Sequence, residues 1–259
     1  MLGAFVGVLR ASVPEAEIAG IYFKGSAQKE WTTPVDYVPE LSDVDIHVLF
    51  SSAGAVAEYL GSLAQAIEVQ AAVEAAFLSA VPAPLHTPRL QLLVLNSVLN
   101  DEDFIQTPLK GITILYGREC PEGEPLAAEK VRALDAKRLR GEEAFLARFP
   151  LQIIDKSARY NLAAMRTLAW RVSPTAPRVL SVLGRPFNEV WTANRTRLLT
   201  LLEERGEAEL ARQYGWFYLS GWDYFLSGYT DHAAARRSIA AGAEVLRRGV
   251  ELAKQKASK

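Results

Sequence analysis

Cysteine, histidine and net charge are all scarce in this chain. Its single cysteine, Cys120, closes no intrachain disulfide, and His47, His86 and His232 are too few and too scattered to suggest a zinc cluster. A reducing compartment is expected. Uninterrupted apolar runs of membrane-spanning length are missing as well, because the most apolar long stretch, 53–81, is broken by Glu58, Glu68 and Glu74. The opening MLGAFVGVLR has no basic residue before its apolar part and is too short for a signal peptide, so a cytoplasmic protein with no membrane partner is expected. With 29 Lys and Arg against 30 Asp and Glu, the balance of −1 excludes a uniformly basic coat for nucleic acid. Neither internal repeats nor low-complexity tracts occur, which removes solenoid and collagen-like architectures.

What is present is an ordinary globular composition, 49% hydrophobic and 23% charged over 259 residues, enough for one large or two modest domains. As far as residue 118 the chain alternates between helical and strand patterns. A short amphipathic opening (2–11) precedes the strands IAGIYF (18–23) and DVDIHVLF (43–50). Residues 55–80, rich in Ala, Leu and Glu and free of Pro, predict one long helix. The Pro-punctuated loop VPAPLHTP (81–88) leads to RLQLLVLN (89–96), which suits a buried strand, and GITILYG (111–117) supplies the last strand. The predicted order is α-β-β-α-β-α-β.

Beyond Cys120 the breakers Pro121, Gly123 and Pro125 interrupt the chain, and helical segments follow at 126–148, 151–172, 187–205, 207–228 and 232–256. The expected class is α+β: a mixed sheet with helices over 1–120, followed by an all-α helical bundle over 121–259. Charge divides with the fold. Residues 1–118 hold 6 basic and 13 acidic residues, a balance of −7, whereas the remainder holds 23 and 17, or +6. The opposed halves suit either complementary packing or a polyanionic ligand facing the basic half.

The stretch that carries chemistry is 18–50. One strand delivers Gly25-Ser26, where a glycine lets backbone approach an anion closely. The next opens with Ser42-Asp43-Val44-Asp45. Strand side chains alternate, so Asp43 and Asp45 share a face and offer hard oxygen ligands suited to Mg²⁺, while Val44, Ile46 and Val48 turn to the core.

A Gly-Ser turn after one strand followed by Asp-x-Asp in the next resembles the DNA polymerase β-like nucleotidyltransferase superfamily. The helical second half resembles that of the aminoglycoside-modifying members by architecture alone. The resemblance implies that Gly25 and Ser26 hold the β- and γ-phosphates of a nucleoside triphosphate, with ATP the expected one. It further implies that Asp43 and Asp45 ligate Mg²⁺, with two ions possible, and that a nucleoside monophosphate passes to an acceptor hydroxyl of a small molecule, protein or nucleic acid. The chain departs from the pattern at Gln91, where the family usually places a third carboxylate, and glutamine neither acts as a base nor ligates Mg²⁺ as an anion does. The alternative is therefore a nucleotide-binding or interaction protein impaired in catalysis, including an antitoxin-like one. Asp101, Glu102 and Asp103 replace the missing acid only if a loop returns them.

Other residues near the motifs admit two readings. His47 continues the aspartate face and is expected to be a packed strand residue rather than a ligand. Lys24 and Lys29 flank the Gly-Ser turn, as phosphate partners or as solvated lysines. Lys156 and Arg159, on a predicted helix that also bears Arg166 and Arg171, are the basic-domain candidates for the triphosphate. The aromatic segment 214–229, with Tyr214, Phe217, Tyr218, Trp222, Phe225 and Tyr229 at steps of three and four, predicts a buried helix or a homodimer contact. Cys120 reads as structural.

Overall fold

The computed structural model describes residues 1–122 and 126–257; Gly123 and Pro125, two of the breakers that mark the expected boundary, lie outside the described residues. The chain divides into two compact units, one formed by Met1–Gln28 with Asp43–Glu124, the other by Lys29–Ser42 with Pro125–Lys259. The class is α+β.

In the first unit, helix α1 (Leu2–Ser12) precedes β1 (Ile18–Lys24) and β2 (Val44–Phe50). Helices α2 (Ala53–Leu60) and α3 (Leu63–Ala80) then lead to β3 (Leu90–Val94) and β4 (Thr113–Gly117). The single helix expected over 55–80 is in fact two. Ser62 caps α3, accepting from Gln65 N, while Gln65 reaches back to Ser62 N, so the start signal after Gly61 overrides the helical run. No α-helix joins β3 to β4 among the described residues; two 3₁₀ turns, Leu95–Ser97 and Leu109–Gly111, take its place.

The sheet order is β3-β2-β1-β4, with β1 antiparallel to β2 and β4, and β2 parallel to β3. The parallel pair follows from the helical crossover through α2 and α3. One face carries Ile21, Val44, Ile46 and Val48 into a core with Phe5 and Leu9 of α1 and Val73 of α3. The other face holds Tyr22 and Leu49 against Leu95 and Cys120. Because β3 is an edge strand it is not buried as expected: Leu92 is 46% exposed. Cys120 is buried and accepts from Gln106, and burial raises its thiol pKa.

The second unit is helical: α4 (Ala128–Ile154), α5 (Asn161–Val172), α6 (Thr175–Val182), α7 (Phe187–Thr192), α8 (Arg195–Glu204), α9 (Ala208–Leu226) and α10 (His232–Ala257). Four boundaries differ from expectation. Helix α4 runs through Pro150, anchored on its inner side by Phe145 and Phe149. Pro174 and Pro177 do not forbid a helix, because they sit at the cap and first turn of α6, where N–H groups have no helical acceptor. Asn194 accepts from Arg197 N and thereby splits 187–205 into α7 and α8. Lys156 lies in the break after α4 rather than on a helix.

The segment 29–42 is built into this unit by buried polar contacts. Asp36, 1% exposed, accepts from the backbone N–H of Thr32, Thr33 and Thr196 and from the Thr196 hydroxyl. Arg195, also buried, donates from Nη1 to Val35 O, Asp36 O and Ser42 Oγ and lies 3.9 Å over the Tyr218 ring. Val35, Val38 and Leu41 enter the helical core, and Gly221 makes room for Leu41: a Cβ there would lie 2.5 Å from Leu41 Cδ1. Tyr214, Phe217, Tyr218 and Tyr224 occupy the same core, so this face of α9 is buried, while Trp216, Leu219 and Leu226 of the same helix are exposed. A further polar group is enclosed nearby. Asp135 of α4 is fully buried with Arg178 Nε at 3.9 Å, and burial, offset in part by Ser181 and Arg178, raises its pKa to about 6.

Candidate functional site

Three strands bring the singled-out residues of the first unit to one end of the sheet. β1 ends there, antiparallel β2 begins there, and β3, parallel to β2, begins there too. The registers pair Lys24 with Asp45 on one side and Asp45 with Gln91 on the other. The strand order thus sets Asp45 between the end of β1 and Gln91.

Gly25 leaves β1 with φ +86°, the left-handed region, and a Cβ on it would fall 1.8 Å from Asp45 Oδ2. A side chain there would require the carboxylate to move from its present position. Ser26 and Ala27 continue a single turn closed by Gln28 N donating to Gly25 O at 3.3 Å, and Gln28 Nε2 ties the turn to Thr113 Oγ1 of β4.

Asp43 sits just before β2, its side chain 11% exposed. Its carboxylate is gripped by Arg89, with Nε on Oδ1 at 2.8 Å and Nη2 on Oδ2 at 2.5 Å. The backbone bond from Val44 N to Arg89 O, 2.9 Å, fixes the two chains side by side. Arg89 is the residue that sequence reasoning missed. Its signal lay in the register, since it precedes β3 by one residue as Asp43 precedes β2.

His47 lies farther along the same face, between Tyr22 and Leu93 in register. Burial, and secondarily Lys24, pushes its pKa down to about 3, so it is a neutral packed side chain. Among the described residues no three His, Cys, Asp or Glu side chains gather as a metal-binding group, so Asp101, Glu102 and Asp103 do not complete the Asp43/Asp45 pair. Asp101 instead accepts from Asp103 N in a local turn.

Lys29 and Lys156 belong to the helical unit. The Lys29 ammonium donates to Ala193 O at 2.7 Å, and Lys156 pairs with Asp155 at 2.8 Å. Arg159 lies over the Tyr160 ring, Arg166 donates to Glu40 O, and Arg171 binds Glu142 at 2.6 Å. Each of these basic side chains makes a contact within its own unit.

The donors at the sheet end are hard: two carboxylates and the Gln91 amide. Their chemistry fits one hard divalent cation, with Asp45 backed by Gly25 and Asp43 shared with Arg89. No helix among the described residues is long and apolar enough to cross a membrane. Comparison of the chain with protein-family models, curated proteins and solved structures finds no match.

Proposed function

We propose that this end of the sheet binds a nucleoside triphosphate together with Mg²⁺, and that the protein transfers a nucleoside monophosphate to an acceptor hydroxyl, in the manner of the nucleotidyltransferases it resembles. One observation carries the reading: the Gly25 turn closes directly on the Asp45 carboxylate, with Asp43 two residues before it. An anion-accepting turn and cation-holding carboxylates are what a metal–triphosphate pair requires.

Within this reading, the Gly25-Ser26 turn receives the terminal phosphates, and Asp43, Asp45 and the Gln91 carbonyl oxygen hold the ion. A bound Mg²⁺ supplies neutralisation of the charge on the departing pyrophosphate. The acceptor oxygen bonds the α-phosphorus as the bond to the bridging oxygen breaks, and the hydroxyl proton passes to Asp45 or to water, because Gln91 takes none. With two carboxylates rather than three, one ion suits the donors better than two.

Binding without transfer is the second reading, and the register of Gln91 beside Asp45 favours it. Pyrophosphate release from labelled ATP with a panel of small-molecule, protein and nucleic-acid acceptors separates the two. Transfer predicts release that Asp43→Asn and Asp45→Asn abolish, whereas release indifferent to both substitutions sinks the mechanism. Nucleotide binding with no release, converted to turnover by Gln91→Glu, establishes the second reading.

A further inference from the structure

We infer that Arg89 is a resident counter-cation for Asp43, which a divalent ion must displace before it is held there. The inference rests on the reading of the sheet end as a divalent-cation site and concerns how that site is kept when empty of metal.

The Asp43 carboxylate is largely shielded from water at 11% exposure and therefore needs a charged or hydrogen-bonding partner. Arg89 meets both of its oxygens with two parallel N–H donors, the fork geometry that matches a carboxylate. A guanidinium seated in this way covers the side of the carboxylate between its oxygens and places a positive charge where a metal would approach. Cation and guanidinium exclude one another by position and by sign.

The pair is nonetheless built to open. Arg89 is 51% exposed, so its charge stays solvated when the pair opens, and a pair with one partner largely in water is held only modestly. Its backbone is anchored by Val44 N, so only the side chain moves. Asp45 lies in register between Lys24 of β1 and Gln91 of β3, with Gly25 against its carboxylate. Arg89 thus sets the threshold for metal binding at Asp43 and protects a shielded carboxylate from standing unpaired.

The test is Mn²⁺ binding to the full-length protein without nucleotide, followed by electron paramagnetic resonance of the free ion. Removing the competitor in Arg89→Ala is expected to tighten Mn²⁺ binding about two- to fivefold, the scale of a partly exposed ion pair. Arg89→Lys, which keeps the charge and loses the fork, is expected to fall between Arg89→Ala and wild type. Adding Asp43→Asn to Arg89→Ala should abolish the gain, with circular dichroism confirming that each variant is folded. Equal or weaker binding by a folded Arg89→Ala, while wild type binds Mn²⁺, overturns the inference and leaves the cation site standing. Absence of Mn²⁺ binding in wild type and in folded Arg89→Ala alike overturns the cation site itself, and the inference with it.

Discussion

Replacing Gly25 with alanine separates the role of the turn from its stability, because the two penalties fall on different atoms. The first is conformational. Gly25 has φ +86°, and a side chain in that region costs about 1–2 kcal/mol. The second is steric: the new Cβ lies 1.8 Å from Asp45 Oδ2 and 2.7 Å from Asp45 Cγ. Those atoms end a short rotatable side chain, so the carboxylate swings away rather than the strands parting, at about 0.5–1.5 kcal/mol for an unfavourable rotamer. The sum, about 1.5–3.5 kcal/mol, lowers the melting temperature without unfolding the protein. Gly184→Ala isolates the first penalty, since Gly184 has φ +89° and a Cβ added to it would meet nothing within 4 Å. Both variants are to be compared by thermal melting and by calorimetric titration with Mn²⁺ and ATP. Gly184→Ala should lose stability and keep full affinity; Gly25→Ala should lose affinity by more than about tenfold, the displacement of one charged ligand being worth over about 1.4 kcal/mol. Wild-type affinity in Gly25→Ala would refute the idea that this close approach matters to the site.

Other substitutions probe separate parts of the chain. Gln91→Glu places an anion in register with Asp45, so Mn²⁺ should bind about tenfold more tightly, and unchanged binding in a folded protein counts against Gln91 lying at the cation position. Asp36→Ala leaves the Thr32, Thr33 and Thr196 amides without their acceptor, and urea denaturation should show a loss of about 3 kcal/mol or more; a loss below about 1 kcal/mol contradicts the anchoring role. Asp135 gives a pH signature. Its folded pKa of about 6 lies above the ordinary 3.8, so between those values the folded state keeps a proton that the unfolded chain releases. Stability from this group therefore falls as pH rises through that window, by up to about 3 kcal/mol. The difference in stability between wild type and Asp135→Asn should change across about pH 4 to 6.5, and a constant difference would contradict the assignment.

Local chemistry is largely legible in the sequence, and long-range pairing is not. Apolar alternation on Val44, Ile46 and Val48 makes the orientation of Asp43 and Asp45 readable, and the Gly-Ser turn after β1 marks the close approach. Arg89 is unreadable because its partner is 46 residues away and is brought beside it only by a parallel pairing. The apolar composition of β3 suggests burial, whereas burial depends on its place in the strand order, an edge. Ser62-x-x-Gln65 is a helix-start signature in plain view within an alanine-rich run, and the cap prevails over the run. At Ser173-Pro174 the opposite holds: the proline suggests a stop, yet it sits at the cap of α6, and Pro177 is tolerated in the first turn. Lys29 is readable as a neighbour of the Gly-Ser turn and Lys156 as a basic residue of the helical half, whereas their contacts with Ala193 O and Asp155 are not.

The buried anchoring of residues 29–42 also bears on synthesis. Val35, Asp36 and Ser42 emerge from the ribosome some 150 to 160 residues before Arg195 and Thr196, which hold them. Sheet pairing of β1 with β2 can be made long before that, across a connecting loop whose apolar residues Val35, Val38 and Leu41 have as yet no core to enter. For much of its translation the nascent chain therefore carries an unburied hairpin connection, open to chaperones and proteases, and truncation before α8 leaves it so permanently.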